Sequence, residues 1–282
     1  MSELVSVVMP CFNSERHLAK AVRSVRAQTY QDLELLVVDG GSRDGSRAVV
    51  AAETALDARV RLIENADDQG PAHARCTGVR AARGRYVAFL DADDVWLPGK
   101  LATQIAFMER EGVAFSYTLY RRMSEDGTQV SPIVPMLSWY DFRRMLGHRG
   151  IGTLTVVVRR DQLTDEVTSI WLRASEDLLW WLLVLRKGVT ARLVPEDLAR
   201  YRDTAGSLSK TRRPTLEAVW TIYRDRLAIP LAARVFFYCS YAIDSVLRRL
   251  RLWIAAVAGM GGANASALGA SPEWDRGAPG GR

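Results

Sequence analysis

Three aspartates follow a short apolar run in the stretch YVAFLDADDVW, residues 86–96. Asp91, Asp93 and Asp94 bring three like charges close together, so at least one of their pKa values should rise unless a cation is present. Carboxylate oxygens suit Mg²⁺ or Mn²⁺, which proteins commonly hold with one or two carboxylates and substrate phosphates. The stretch therefore indicates a divalent-metal site, although a solvated turn with an aspartate cap on the next helix also fits.

A second acidic residue, Asp39, ends another apolar run in VVDGGSRDGS and precedes a glycine-rich turn. Its carboxylate at a strand end could accept a hydrogen bond from a ribose hydroxyl or a base N–H. An ordinary Asp-Gly turn explains the same residues equally well.

Glu176 and Asp177 open the segment EDLLWW, which has the pattern of an apolar helix. Capping and the helix dipole explain acids at this position without any function. The functional interpretation is a general base at the mouth of a site.

The segment YRDTAGSLSK gathers Arg202, Ser207, Ser209 and Lys210 around a glycine. Such a loop could close on a phosphate through charge-assisted hydrogen bonds, or it could be a solvated basic loop. The three histidines match no metal-ligand spacing and are predicted to be surface or capping residues.

The elements that must position these residues follow an alternating pattern in the first half. Apolar runs at 4–9, 33–38, 59–64 and 86–90 alternate with helical periodicity, which predicts an α/β fold with a mostly parallel sheet flanked by helices. Ligands of such sheets bind beyond the carboxyl ends of the strands, where Asp39 and Asp91 fall.

The second half is less regular. Further strands are predicted at 113–120, 153–159 and about 191–194, and a helical pattern runs over 215–253 with a break at Pro230. The expected organisation is a catalytic domain over 1–212, divided at about 97 into a nucleotide-binding half (1–97) and an acceptor half (98–212), a basic amphipathic helical extension over 213–258 and a disordered tail over 259–282.

Composition narrows the class of protein. The 282 residues are 48% hydrophobic and 25% charged, which is typical of a globular chain, and three scattered cysteines suggest neither zinc nor a disulfide framework. The N-terminus carries Glu3 and an apolar run that ends at Pro10, so we expect a first strand, no signal peptide and a cytoplasmic location.

The ordered motifs together resemble family 2 glycosyltransferases, and within them the bacterial enzymes of capsule, O-antigen and related envelope polysaccharides. The resemblance covers about residues 4–250 and rests on four segments: VSVVMPCFNSERHLAKAVRSVRAQTYQDLELLVVDGGSRDGS, GPAHARCTGVRAARGRYVAFLDADDVWLPGKL, SEDLLWWLL and YRDTAGSLSK. It implies a GT-A (Rossmann-like) fold and a metal-dependent, usually inverting sugar transfer from a nucleotide-diphospho-sugar to a glycan or lipid-linked acceptor.

The resemblance also implies roles for residues. Asp39 would contact the base, with Pro10 and Phe12 beneath it, and Arg75 would lie near the nucleotide. Asp91 would contact the ribose and the metal, Asp93 would bind Mn²⁺ or Mg²⁺, and Asp94 could share either role. Asp177 matches the catalytic base, and Arg202 with the Ser207–Lys210 loop matches a segment that closes over the diphosphate. Gly40 and Cys76 depart from the usual Asp and Asn, which puts base recognition and one polar contact in doubt.

Two alternatives compete with this interpretation. The run VAFLDADDV also fits a phosphatase of the haloacid dehalogenase type, with Asp91 as nucleophile and Asp93 as general acid. That alternative leaves the first 85 residues without a task and lacks a late acidic pair at a strand end. A non-catalytic protein that only binds nucleotide-sugars would not need an intact acid at 177.

The net charge of +6 is concentrated near the C-terminus. Residues 200–253 hold 11 Lys or Arg and 4 Asp or Glu, which implies an anionic partner: phosphates, an acidic membrane surface or nucleic acid. Because these charges alternate with bulky apolar residues, we do not expect nucleic acid. No uncharged stretch there is long enough to span a bilayer. An amphipathic helix on the inner face of the plasma membrane, with Arg248, Arg249 and Arg251 near the headgroups, and a helix packed on the domain both fit.

Overall fold

The computed structural model describes residues 3–65, 70–148, 150–169, 175–204 and 212–257. Within them the chain forms ten strands: β1 (Val5–Cys11), β2 (Leu33–Asp39), β3 (Val60–Glu64), β4 (Tyr86–Phe89), β5 (Val95–Trp96), β6 (Phe115–Met123), β7 (Val130–Ile133), β8 (Trp139–Tyr140), β9 (Val156–Arg159) and β10 (Ala191–Arg202). The helices are α1 (Glu15–Arg26), α2 (Ser46–Leu56), α3 (Pro71–Ala81), α4 (Lys100–Glu111), α5 (Phe142–Gly147), α6 (Asp165–Thr168), α7 (Glu176–Arg186), α8 (Arg212–Thr221) and α9 (Leu231–Val257).

One mixed sheet contains all of these strands, in the order β3-β2-β1-β4-β9-β6-β10-β5, with β7 added to β6 and β8 added to β10. Strands β3, β2, β1 and β4 are parallel, and β10 is parallel to β6. Strand β9 is antiparallel to both of its neighbours, β4 and β6. The predicted α/β class with a mixed, mostly parallel GT-A-type sheet flanked by helices is therefore confirmed.

The sheet is buried on both faces because its strands carry continuous apolar runs. Successive side chains of a strand point to opposite faces, so Val7 and Val8 of β1 lie in different cores. Helices α1 and α4 cover the face of Val7. Helices α3 and α7, with residues of α8 and α9, cover the face of Val8.

Helix α7 is apolar on every side, which is typical of a helix buried on all faces. Trp180 and Trp181 are each 1% exposed and both contact the Phe89 ring, at centroid distances of 6.0 and 5.7 Å. This packing fixes α7, and with it the acids of its first turn, against the strand that leads to Asp91.

A buried polar network fixes the segment that follows the three aspartates. Lys100 is fully buried; its Nζ donates to Gln104 Oε1 at 2.6 Å and lies 4.0 Å from the Trp96 ring centroid. Burial lowers the pKa of the Lys100 amine. Gln104 Nε2 donates in turn to Ser116 Oγ and to the Thr155 carbonyl, both at 3.0 Å, so α4 is tied to the sheet through side-chain hydrogen bonds.

The second half differs in detail from the sequence prediction. Residues 153–155 form a 3₁₀ turn, so β9 begins only at Val156. Strand β10 extends well beyond 194, through Pro195, because shifts in its register against β6 between Val194 and Ala199 accommodate a residue without an N–H. The predicted break at Pro230 is confirmed, since α9 begins at Leu231. The predicted tail, 259–282, lies outside the described residues.

Gly78 lets α3 approach the sheet closely. A Cβ at this position would lie 2.3 Å from Val8 Cγ1 and 3.2 Å from Val38 Cγ2. We expect Gly78→Ala to lower the free energy of unfolding by about 1–3 kcal/mol, because overpacking outweighs the gain in helix propensity. Urea denaturation followed by circular dichroism measures this change.

Gly99→Ala is the matched control, because its Cβ would meet only Thr103 Oγ1, at 3.9 Å. We expect this change to alter stability by no more than about 0.5 kcal/mol. Equal stability of the two variants would contradict the close packing of α3.

Candidate active site

The predicted site residues of the first half lie along one edge of the sheet. Strands β2, β1 and β4 are parallel neighbours, and Cys11 is opposite Asp39 in the register. Asp91 follows β4 at the same edge. Pro10 is buried within β1, whereas Phe12, just beyond the strand, is 49% exposed.

Asp39 is held in the ionised form by hydrogen bonds. It is 1% exposed; the backbone N–H of Ser42 donates to both of its oxygens at 3.2 Å, and Arg47 Nε donates to Oδ2 at 2.6 Å. Burial by itself would raise the pKa of this carboxyl, but the bonds from Ser42 and Arg47 outweigh burial, so the pKa is lowered.

Arg75 joins two acidic segments that are far apart in sequence. Its guanidinium, on α3, donates from Nη2 to Asp91 Oδ1 and from Nη1 to Glu176 Oε1, both at 2.5 Å. Arg75 and Glu176 are 6% and 8% exposed, so the ion pair between them is buried. Burial disfavours the guanidinium charge, but Asp91 and Glu176 raise the pKa of Arg75 above its usual range. Burial raises the pKa of Glu176.

Asp177 lies one residue further along α7, partly exposed. Its Oδ2 accepts a hydrogen bond from Thr153 Oγ1 at 3.0 Å, and its Oδ1 accepts the backbone N–H of Leu178 at 2.8 Å. Ser175, directly before the helix, has a φ of 59°, a left-handed conformation that non-glycine residues rarely adopt. The orientation of the Asp177 carboxylate is therefore fixed from two sides.

Asp93 and Asp94 contact the last residue of β10. Asp94 is 1% exposed and accepts the backbone N–H of Arg202 at 2.8 Å, while the Arg202 guanidinium donates to the carbonyls of Asp93 and Glu125 at 2.7 and 2.8 Å. Arg202 thus holds the turn that contains Asp93 and Asp94 in place through its backbone N–H and its guanidinium. Burial and then the charge of Asp91 raise the pKa of Asp93 to about 6, and burial raises that of Asp94.

The residues present fit a divalent cation. Asp94 Oδ2 is buried and accepts no hydrogen bond from the described residues. Burial and then the neighbouring carboxylates raise the pKa values of Asp93 and Asp94, and a cation would offset both effects. The described part of the chain contains no group of three or more acidic, His or Cys side chains placed to hold one ion. A metal here would therefore complete its coordination with oxygens from water or from a bound phosphate.

The structure brings some predicted residues together and leaves others apart. Arg75 unites Asp91 with the start of α7, and Asp93, Asp94 and Arg202 form a second cluster beside it. Asp39 belongs to neither cluster and is bound by Ser42 and Arg47. Ser207, Ser209 and Lys210 lie outside the described residues.

Sequence reasoning missed three partners: Glu176 as the buried ion-pair partner of Arg75, Thr153 beside Asp177, and Arg47 beside Asp39. The sequence pattern gives Glu176 only as an acid at a helix start or as a candidate base. No spacing rule could have joined it to Arg75, because 101 positions separate the two residues and only the packing of α3 and α7 brings them together.

The architecture is that of the GT-A glycosyltransferases. Mannosyltransferase PcManGT from Pyrobaculum calidifontis, solved with GDP-Man and Mn²⁺, matches with a TM-score of 0.65 over 97% of this chain and 78% of its own, at 18% identity. Staphylococcus aureus TarS 1–349, solved with UDP-GlcNAc, matches with a TM-score of 0.63 over 78% of this chain and 64% of its own, also at 18% identity.

Sequence comparison gives the family. The description "Glycosyl transferase family 2" matches residues 6–175. TuaG of Bacillus subtilis (strain 168), a "Putative teichuronic acid biosynthesis glycosyltransferase", is 34% identical over 88% of this chain and 98% of its own. WfgD of Escherichia coli, a "UDP-Glc:alpha-D-GlcNAc-diphosphoundecaprenol beta-1,3-glucosyltransferase", is 33% identical over 86% of this chain and 94% of its own.

The chain therefore belongs to glycosyltransferase family 2, is a glycosyltransferase and is similar to bacterial enzymes of envelope polysaccharide synthesis. The phosphatase and the non-catalytic alternatives are wrong, because the match covers the first 85 residues, which a phosphatase would leave without a task, and because the relatives are transferases.

The buried ion pair gives a stability prediction. We expect Arg75→Met to lower the free energy of unfolding by about 3 kcal/mol or more, because Glu176 is left buried without its cation. Combining Arg75→Met with Glu176→Gln should recover at least about 1 kcal/mol of this loss, which a double-mutant cycle in urea measures.

Arg80→Met serves as the control, because Arg80 lies on the same helix and is exposed. We expect it to change stability by about 0.5 kcal/mol at most. If Arg75→Met and Arg80→Met were equally stable, or if the double variant recovered nothing, the pair would not have the strength assigned to it.

Proposed function

We propose that this chain transfers a sugar, with inversion, from a nucleotide-diphospho-sugar to a hydroxyl of a lipid-linked or glycan acceptor in envelope polysaccharide synthesis. The observation that carries the proposal is the Arg75 bridge, which joins the acid after β4 to the first turn of α7. A donor-binding aspartate is thus tied to Glu176, the residue directly before the candidate base Asp177.

The donor is assigned to the carboxyl edge of the first four parallel strands, within the nucleotide-binding half at 1–97. Asp39 accepts hydrogen bonds from the nucleoside, with Pro10 and Phe12 beside the base and Arg75 near the nucleotide. The exposure of the Phe12 ring supports this assignment, and TarS and PcManGT were each solved with a nucleotide-sugar. The Ser207–Lys210 loop is assigned to the diphosphate, and Arg202 to holding the aspartate turn beside it through the Asp93 carbonyl.

Asp91 and Asp93 would hold Mn²⁺ or Mg²⁺, with Asp94 as a further contributor. When bound, the ion supplies positive charge for the leaving diphosphate. Arg75 contributes a fixed positive charge beside Asp91, and its two ion pairs hold it in one position. Two observations support a cation at this place: the charge of Asp91 adds to burial in raising the pKa of Asp93, and Asp94 Oδ2 is buried without a hydrogen bond from the described part of the chain.

Asp177 is the proposed general base. Each carboxylate oxygen has two lone pairs, so the bonds from Thr153 and the Leu178 N–H leave acceptor capacity for a sugar hydroxyl. The N-terminus of α7 also favours negative charge at this position. The two hydrogen bonds hold the carboxylate in one orientation, which is what a positioned base requires.

The transfer is a single displacement. The acceptor oxygen forms a bond to the anomeric carbon, its proton passes to Asp177, and the bond to the diphosphate oxygen breaks with the electron pair leaving on the nucleoside diphosphate. Attack from the face opposite the leaving group inverts the anomeric centre, so no covalent enzyme intermediate is needed.

We assign residues 98–212 to the half of the domain that binds the acceptor. The acceptor that we propose is a lipid-linked glycan on the inner face of the membrane. WfgD, one of the similar proteins, is named for a diphosphoundecaprenol-linked acceptor, which supports this class. Among the residues that the structure describes, no helix is both long and apolar enough to cross a bilayer. The contact with the membrane that we propose is peripheral.

Asp177→Asn tests the base. We expect the substitution to lower kcat about 10²–10⁴-fold, because the amide cannot take the proton of the acceptor. Donor affinity should remain within about twofold, since the base acts on the acceptor and Asn keeps the shape of the side chain. Radiolabelled sugar transfer and donor titration measure the two quantities.

Asp165→Asn is the matched control, an exposed acid in the first turn of α6. It should leave kcat unchanged. If Asp177→Asn transferred sugar as fast as Asp165→Asn, the assignment of Asp177 as the general base would be wrong.

A thermal-shift panel of UDP- and GDP-sugars with and without Mn²⁺ tests the metal. We expect one donor class to raise the melting temperature more when Mn²⁺ is present, since a ligand that binds only the folded state stabilises it. Asp93→Asn should lose the Mn²⁺-dependent part of the shift. Retention of that part in the variant would contradict the assignment of Asp93 as a ligand.

A further inference from the structure

Helix α9 exposes a continuous apolar surface. Leu231, Phe236, Ile243, Val246, Leu250 and Trp253 are each between 48% and 68% exposed, and three more exposed apolar residues lie among or beside them. At 3.6 residues per turn these positions fall within about 140° of arc, along about 35 Å of helix. We call this surface the apolar stripe.

The opposite side of α9 is packed on the domain, which fixes the rotation of the helix. Tyr241 is 5% exposed and belongs to the core shared with α7. Ser240 Oγ donates to the Gly147 carbonyl at 3.0 Å, and the Arg234 guanidinium lies 5.4 Å from the Trp220 ring centroid. The apolar stripe therefore cannot turn inward without breaking these contacts.

This arrangement reverses the usual pattern of a surface helix, which presents polar residues to solvent. Exposed apolar surfaces of this extent mark interaction sites. The stripe is a convex ridge and not a groove, so it suits a partner that can enclose a whole side of the helix.

The charges beside the apolar stripe favour an anionic membrane over a second copy of the chain as its partner. Arg249 and Arg251 are exposed and lie on opposite borders of the stripe at helical spacing. The sequence from Leu231 to Val257 contains one acid, Asp244, which projects on the packed side, and four arginines. A second copy packed stripe to stripe would bring arginine borders of like charge together, whereas anionic lipid headgroups complement them.

We propose that α9 lies in the plane of an anionic membrane, with the apolar stripe in the acyl boundary and its bordering arginines at the headgroups. Trp253, near the end of the stripe, has the amphipathic ring that is common at membrane interfaces. Apolar burial supplies part of the binding energy, and the arginines supply a salt-sensitive part.

The docking surface also has a consequence for the site, and this step rests on the proposed function. Helix α9 packs against α5, which packs against α7, where Asp177 lies in the first turn. A membrane-bound α9 therefore holds the acceptor half on a membrane-attached scaffold, which would bring it near a lipid-linked acceptor.

The test is co-sedimentation of the full-length protein with vesicles of phosphatidylcholine, with and without about one third phosphatidylglycerol. Ile243→Ser with Trp253→Ser should weaken binding to anionic vesicles roughly tenfold or more. The control is Leu56→Ser, which removes an exposed apolar residue of α2 and should bind like the parent. Circular dichroism confirms that each variant is folded.

A second variant tests the charged borders independently of the apolar residues. Arg249→Gln with Arg251→Gln should reduce binding to the phosphatidylglycerol vesicles and lessen its salt dependence, with no effect on phosphatidylcholine alone. Equal vesicle binding by the stripe variant and its control would overturn the proposal. The proposal would also be overturned if the parent protein did not bind vesicles and instead formed a dimer that the stripe variant could not form.

The two proposals can fail separately. Vesicle binding without sugar transfer would support the docking surface and overturn the proposed function. Sugar transfer to a water-soluble acceptor without vesicle binding would overturn the docking surface and leave the proposed function intact.

Discussion

The site depends on one buried cation. Arg75 is almost fully enclosed and is paired with Glu176, which is also buried, and with Asp91, whose side chain is 34% exposed. Two of the three charges therefore lie in a region from which water is largely excluded. Ionised groups in such a region are tolerated only when they are paired and hydrogen-bonded. The position of α7 relative to the end of β4 is therefore an electrostatic constraint as well as a packing constraint.

Close packing makes this constraint possible. Gly78 lets α3 rest on β1 and β2, and the tryptophans of α7 fill the space beside Phe89. The same face of the sheet receives α8 and α9 through residues such as Val219 and Tyr241. One apolar layer thus positions the Arg75 bridge and fixes which side of α9 remains outside. The site and the apolar stripe are two consequences of the same core.

Much of the fold could be predicted from periodicity, because the apolar runs of the first half are long enough to have one interpretation. The carboxyl-end positions of Asp39 and Asp91 followed directly from the parallel topology. The second half was harder to predict: β10 passes through Pro195 by shifting its register, and the strand predicted from 153 begins with a 3₁₀ turn. Arg202 was expected to face a diphosphate, and its guanidinium contacts two backbone carbonyls.

The sequence by itself determined the α/β class, the family resemblance and the acids at strand and helix ends, because these depend only on local residue spacing and on the order of the motifs. Tertiary structure alone decided the partners of those acids. Glu176 and Arg75 meet only because α3 and α7 pack on one face, and Thr153 reaches Asp177 only through a turn before β9. It also decided which side of the last helix is buried, since amphipathic periodicity gives two faces and only packing tells which one contacts the domain.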